Sequence, residues 1–373
     1  MNAVRPVMQL KGAGSAMRMT RILGEQELRQ IVRATGLHAL MDEVISTLEY
    51  ELEHFDPANT ELRKREGFQY QHPHPGVLEW MPVMQVGRHA VIKLVGYNPR
   101  SPEELGLPTI LSSLSLYDVT TGHLRAVCDG TFPTALRTGA ASAVASRLLA
   151  REDSRVLGLV GCGAQAVTQA HALSRVFPLG RVLVHDIAPE AMRSFARRVA
   201  FLGLEVVAVP LTRVEQEADI LCTATSVAVG AGPVVSGRLI KAHLHINAVG
   251  SDLPGKTELP LEMLRRALVC PDYLPQAVVE GECQQLEPGE IGPSLFELTR
   301  SPEQWRSHRD GLTVFDSTGF SLEDKVVLEV ILAHAERLGV GRLLQVESMA
   351  EDPKDPYGFL QETATCLKAA PAV

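Results

Sequence analysis

One stretch constrains the fold of this chain more than any other: Val156-Leu-Gly-Leu-Val-Gly161-Cys-Gly163-Ala164-Gln165-Ala166. A short apolar run ends in a G-x-G-x-x-A turn and opens into a helical pattern. Gly161 permits a tight turn, Gly163 lets the backbone approach a pyrophosphate, and Ala166 is small enough for the helix to pack on its strand. The helix N-terminus then offers free N–H groups and partial positive charge to phosphates. Asp186 ends the next strand-like run 25 residues after Gly161. An acid there accepts hydrogen bonds from ribose hydroxyls and repels a 2′-phosphate, which predicts NAD rather than NADP. The competing reading is an ordinary strand-turn-helix with a surface aspartate.

Around this turn the texture is that of a doubly wound parallel sheet. Short apolar runs at 155–160, 181–185, 205–209, 219–222, 243–249, 267–269 and 312–315 alternate with amphipathic stretches. Upstream, residues 21–55 read as helical, interrupted near Gly36, and 56–75 as a polar stretch. Runs at 77–85, 89–97, 109–119 and 123–131, separated by turn signals, predict an antiparallel meander. An Ala-rich helix is expected over 134–150 and a last helix over 322–338. The predicted fold class is therefore α/β. It has a Rossmann-type domain at 134–320 and a discontinuous α+β substrate-binding and dimerisation domain at 1–133 and 321–373.

Bulk properties exclude several classes. The 373 residues are 45% hydrophobic and carry a net charge of −8, which favours neither a nucleic-acid backbone nor an anionic membrane. No run approaches the roughly 20 apolar residues of a membrane span, and no signal-peptide pattern opens the chain. Six cysteines without a C-x-x-C pair fit a reducing cytoplasm. The pairs His72/His74 and His243/His245 lack a plausibly spaced third ligand, so no metal is expected. Cys162 reads as a small buried filler rather than a reactive thiol. The Arg193/Arg197/Arg198 cluster reads as a solvated helix face.

Four charges stand in unusual surroundings. Lys93 lies inside the apolar run Val91-Ile-Lys93-Leu-Val95, Glu79 sits between Leu78 and Trp80, and Arg137 opens a small-residue helix. Arg65 lies in the preceding polar loop. Ionised groups in apolar settings are costly unless paired with one another or with a ligand. Taken singly, a structural ion pair or a snorkelling side chain explains each of them equally well.

Several segments resemble the ornithine cyclodeaminase and mu-crystallin family, nearest to its ornithine cyclodeaminase branch. They are Thr134-Ala-Leu-Arg137-Thr138, the glycine turn, His245-Ile246-Asn247-Ala248-Val249-Gly250-Ser-Asp252-Leu-Pro254-Gly255-Lys256-Thr257-Glu258, Glu280-Gly281-Glu282 and Phe315-Asp316-Ser317-Thr318-Gly319. The resemblance runs in order from about residue 20 to 338. It implies a substrate-carboxylate clamp of Arg65, Lys93 and Arg137, a proton donor and acceptor in Asp252, and Glu79 placing a distal ammonium. It also implies NAD contacts at Thr109, Gly161, Gly163, Ala164, Gln165, Asp186, Thr225, Ile246, Asn247, Ala248, Val249, Lys256 and Ser317. The implied activity is an NAD-dependent conversion of L-ornithine, or a close diamino acid such as lysine, to a cyclic imino acid and ammonia. A homodimer is implied as well.

The chain departs from that branch at Thr318, where an apolar side chain faces substrate, and in a longer 56–75 loop. These departures leave the substrate open. Two other readings stand beside the lyase. One is a net oxidoreductase: an alanine dehydrogenase, a cyclic ketimine reductase or an opine-like synthase. The other is a non-catalytic mu-crystallin-like binding protein, against which the joint presence of Lys93, Arg137 and Asp252 argues.

Overall fold

The computed structural model describes residues 19–360. Two sheets organise it. The first has seven strands, all parallel, in the order Glu205–Ala208, Arg181–His185, Val156–Val160, Ile220–Thr223, His245–Ala248, Thr313–Asp316, Leu268–Pro271. The strand order reverses between Val156–Val160 and Ile220–Thr223, the place where open α/β sheets bind ligands beyond their C-terminal strand ends. Separate apolar clusters include Leu183, Leu221 and Ile246 in one and Leu157, Val182 and Ile220 in the other. Strands buried on both faces give continuous rather than alternating apolar runs, which is why they were legible.

The second sheet has eight strands. Its centre is the expected meander, with antiparallel pairing of Gly76–Gln85, His89–Tyr97, Ile110–Asp118 and Leu124–Asp129. Alternation fixes which residues face inward: Val77, Met81 and Val83 are buried, whereas Leu78 is exposed. Register places Met81 opposite Lys93 and Glu79 opposite Val95, so Glu79 and Lys93 share the inner face.

Two upstream expectations need correction. The helical reading of 21–55 holds only from Glu25: helices Glu25–Thr35 and Leu37–Glu53 flank Gly36 at φ +88°, but Thr20–Leu23 is a strand. It pairs in parallel with Ala126–Cys128, about a hundred residues away, a partner that local periodicity cannot reveal. The polar 56–75 stretch contains strands Thr60–Leu62 and Glu66–Tyr70; four of the five residues in the second are exposed, so no apolar alternation marks it.

Helix Thr131–Leu149 lies between the layers, buried along nearly its whole length. Its small residues allow this. A Cβ on Gly139 would fall 2.6 Å from the Thr168 carbonyl oxygen of helix Ala164–Val176. A buried polar set fixes it to the parallel sheet: His245 and Asn247 both bond Ser146 Oγ, at 3.0 Å each. Helix Ser321–Leu338 packs against it from the other side. Among the described residues no helix is long and apolar enough to cross a membrane.

Candidate active site

The parallel strands end at a cavity of about 1450 Å³. Gly161, Gly163, Ala164, Gln165, Asp186, Thr225, Thr109, Val249, Asp252 and Lys256 all line it. The glycine turn is shaped for a close ligand. Gly161 has φ +93°, and a Cβ there would lie 2.5 Å from the Ala224 carbonyl oxygen. A Cβ on Gly163 would meet nothing within 4 Å, so that backbone is open to the cavity. Ala166 is fully buried, as its packing role requires. Asp186 accepts hydrogen bonds from the backbone N–H of Cys162 and of Ala188, both at 2.7 Å, which ties the carboxylate to the turn itself. A dinucleotide fits this arrangement: open glycine backbone at a helix N-terminus for phosphates, and a fixed carboxylate one strand over for ribose hydroxyls.

A second, smaller chamber of about 90 Å³ adjoins the first, and Tyr97, Gln165, Val249 and Asp252 line both. It is the meeting point of Arg65, Glu79, Lys93, Arg137, Ser317 and Thr318, from five separate elements or loops. Its polar groups come as paired charges. Lys93, 1% exposed, has Nζ 2.8 Å from Asp324 Oδ2. Arg137 Nη1 donates to Glu323 at 2.5 Å, and its Nε lies 3.3 Å from Asp324. Arg65 Nε is 2.9 Å from Glu280 and Nη1 is 3.6 Å from Glu79. Arg65 also donates to the carbonyls of Thr318 and Gly319.

Burial governs the electrostatics. An uncompensated buried ammonium costs several kcal/mol, and burial together with Arg137 and Arg65 brings Lys93 down to about 8, against the pull of Asp324. Burial pushes Glu280 and Glu323 up to about 8 each, against the attraction of Arg65 and Arg137. With Glu280 and Glu323 pushed toward their protonated forms, Arg65 and Arg137 keep positive charge for an anionic guest. On its cavity side, Asp252 receives a hydrogen bond from Lys256 Nζ at 2.8 Å, and Lys256 lies 5.6 Å from the Tyr97 ring centre. Lys256 is 2% exposed and held in its charged form by Asp252 and Tyr97 against burial.

These features match a known family. The family model described as ornithine cyclodeaminase/mu-crystallin matches residues 25–338. The chain belongs to this family. Among its relatives, the L-lysine cyclodeaminase of Streptomyces rapamycinicus is 45% identical over 341 residues, covering 91% of this chain and 99% of its own. The ornithine cyclodeaminase of Agrobacterium fabrum is 34% identical, covering 78% and 81%. The solved structure of a lysine cyclodeaminase, described for its recognition of L-lysine, L-ornithine and L-2,4-diaminobutyric acid, has TM-score 0.89 and 49% identity over 91% of this chain and 99% of that one. Family and fold are as the resemblance implied; within the family, the lysine-named relative is more similar than the ornithine-named one.

Not every expected family position reaches the cavities. Ile246, Asn247 and Ala248 are fully buried in the parallel sheet and line neither cavity; of that strand end only Val249 does. A central strand covered on both faces leaves no side chain for a ligand, and Asn247 is engaged with Ser146 and Cys222 instead. Ser317 lines the small chamber, with a buried hydroxyl that has no hydrogen-bond partner among the described residues. The Thr225 hydroxyl donates to Glu258 at 2.7 Å, so its bond serves the turn. The Thr318 hydroxyl donates to Asp272 and accepts from Gln276, both at 2.9 Å. Cys162 is 1% exposed and burial lifts its thiol to about 12, in keeping with a filler. Tyr97, Asp272, Gln276, Glu323 and Asp324 were missed. Glu323 and Asp324 open helix Ser321–Leu338, where acids are ordinary dipole partners, so nothing local distinguished them.

Proposed function

We propose that the chain is an NAD-dependent cyclodeaminase of α,ω-diamino acids, converting L-lysine to L-pipecolate and ammonia in preference to L-ornithine and L-proline. The observation that carries this is the small chamber: three buried cations converge on one side, and Asp252 stands where the chamber meets the dinucleotide-shaped cavity. The preference for lysine is supported by the 45% identical lysine cyclodeaminase, against 34% for an ornithine cyclodeaminase.

Bound NAD supplies a hydride acceptor that later returns the hydride, so it is regenerated in each cycle. The protein does the rest. Arg65 and Arg137 present fork-shaped donors to the substrate carboxylate, and Lys93 adds a compact charge. Glu79, 3.6 Å from Arg65, orients the distal ammonium. Asp252 takes a proton from that ammonium, freeing the amine to attack C2 of the 2-imine. It then protonates the departing nitrogen, which leaves as ammonia. Lys256 fixes the Asp252 carboxylate for both transfers. Burial keeps water from hydrolysing the imine. Residues 134–320 form the cofactor half in this reading, and the flanking segments form the substrate half.

A homodimer through the outer face of the eight-stranded sheet belongs to the same proposal. Its support is the exposed apolar set Phe68, Leu78, Leu94 and Leu111, together with an archaeal alanine dehydrogenase solved as a dimer, 30% identical with TM-score 0.79. A second reading, a net dehydrogenase, is favoured by the alanine dehydrogenase of Archaeoglobus fulgidus, 32% identical over 86% of this chain. Incubation with limiting NAD⁺ and L-lysine, L-ornithine or L-alanine separates the two. Ammonia in large excess over NAD⁺ with the diamino acids supports the lyase. Ammonia matched one-to-one by NADH, with L-alanine as the better substrate, supports the dehydrogenase.

A further inference from the structure

Beyond the residues that face the chamber, we infer that Gln276 and Asp272 form a buried brace that sets the spacing of the two carboxylate-binding arginines, and that Thr318 belongs to this brace and is not a specificity contact. The inference rests on the carboxylate-clamp part of the proposed function.

Both residues follow the C-terminal end of strand Leu268–Pro271, at the edge of the parallel sheet. Asp272 is fully buried and accepts hydrogen bonds from Gly319 N–H at 2.5 Å and from the Thr318 hydroxyl at 2.9 Å. Gln276, 2% exposed, uses both ends of its amide. Its Nε2 donates to Thr318 Oγ1 at 2.9 Å and to the Gly319 carbonyl at 2.7 Å, and its Oε1 accepts from Arg65 N–H at 3.2 Å. The turn so held touches both arginines. Arg65 donates to the carbonyls of Thr318 and Gly319. The Arg137 guanidinium also lies against this turn, where a Cβ on Gly319 would sit 2.4 Å from Nη1 and 2.9 Å from Cζ. Gly319 also has φ +77°, so neither its conformation nor its contact tolerates a side chain.

One short turn therefore touches both guanidiniums, and the brace behind it holds the turn through four hydrogen bonds. Two forks converging on one carboxylate need their separation held to a fraction of an ångström. The Thr318 hydroxyl is consumed in this network, so a longer or shorter diamino acid is not sensed through it.

The test uses the full chain loaded with NADH, which accepts no hydride, so that L-lysine binds without turning over. Binding of L-lysine, L-alanine and cadaverine, the decarboxylated analogue of lysine, is measured by calorimetry for Q276A, T318V and T318S. Thermal midpoints and NAD affinity serve as fold controls. Loss of two or three buried hydrogen bonds weakens the carboxylate ligands by about tenfold in Q276A and about fivefold in T318V. The serine variant recovers most of that loss, and NAD affinity and cadaverine binding stay within about twofold throughout. L-lysine binding by Q276A within twofold of the parent overturns the brace, as does a loss shared equally by NAD and cadaverine. A change in the lysine-to-alanine preference of T318S makes Thr318 a specificity contact and overturns that part. A parent that binds L-alanine but not L-lysine refutes the diamino-acid reading and leaves the brace to be judged on L-alanine. A parent that binds neither overturns both.

Discussion

Asp324→Asn isolates the electrostatic logic of the chamber. Asp324 lies 2.8 Å from Lys93 Nζ, and both side chains are 1% exposed. Burial and the two arginines already lower Lys93 to about 8, so Lys93 is charged at neutral pH only because Asp324 opposes them. At an effective dielectric of about 20, unit charges about 3 Å apart interact by roughly 5.5 kcal/mol. Asparagine still accepts a hydrogen bond and the site relaxes, so a loss of about 3 kcal/mol is the realistic figure, equal to about two pH units. Lys93 then deprotonates near pH 6, and its charge is lost from the carboxylate clamp at neutrality. The assay is kcat/KM for the diamino acid against pH, which reports groups on free enzyme and free substrate. The substrate amines are identical for both proteins, so the difference between profiles belongs to the protein. The parent loses kcat/KM as pH rises through about 8, and D324N loses it about two pH units lower. An alkaline limb that moves by less than about half a unit would show that Asp324 does not hold Lys93 in its charged form.

Four further outcomes follow from the same structure. D252N removes the proton carrier and lowers kcat by about 10³-fold while NAD affinity, read by fluorescence titration, stays unchanged. D186S frees the Cys162 and Ala188 N–H groups and removes the charge that excludes a 2′-phosphate; the NAD-to-NADP preference falls by about tenfold or more, read as a ratio of dissociation constants. G139L drives a side chain into the Thr168 carbonyl, 2.6 Å from the Cβ position. It destabilises the fold by about 3 kcal/mol in urea unfolding. His171, 2% exposed and hydrogen-bonded to His38 at 2.9 Å, is lowered to about 4, chiefly by burial. The unfolded chain takes up the proton near pH 6.5 and the folded one does not until about pH 4, so this residue's contribution to stability falls as pH drops through that window. From pH 7 to 5 the stability gap between the protein and H171L shifts by about 2 kcal/mol in favour of the variant; a constant gap contradicts a neutral His171.

The parts of this molecule that could be read from sequence are those governed by local rules. Gly161, Gly163 and Ala166 act within one turn, and the parallel strands announce themselves as doubly buried apolar runs. Lys93 and Glu79 stood out because an ion inside an apolar strand is costly wherever it occurs. What stayed hidden depends on partners distant in sequence. Thr20–Leu23 is a strand because Leu124–Asp129 lies on one side of it and Arg342–Leu344 on the other. Asp324 pairs with Lys93 across 231 residues and Gln276 reaches Arg65 across 211, yet each sits in an unremarkable local context. Asn247 lies in a segment that resembles a cofactor-contacting one, and its motif does not reveal that its side chain sits on a covered strand and bonds inward.

A cyclodeaminase differs from a net dehydrogenase in one step: the hydride removed from Cα returns to the same carbon. L-lysine carrying deuterium at C2, incubated with limiting unlabelled NAD⁺ and analysed by mass spectrometry, tests it directly. The expected product is L-pipecolate in excess of the cofactor, with deuterium retained at C2. Deuterium accumulating in reduced cofactor, with product no more abundant than the NAD⁺ supplied, would contradict it.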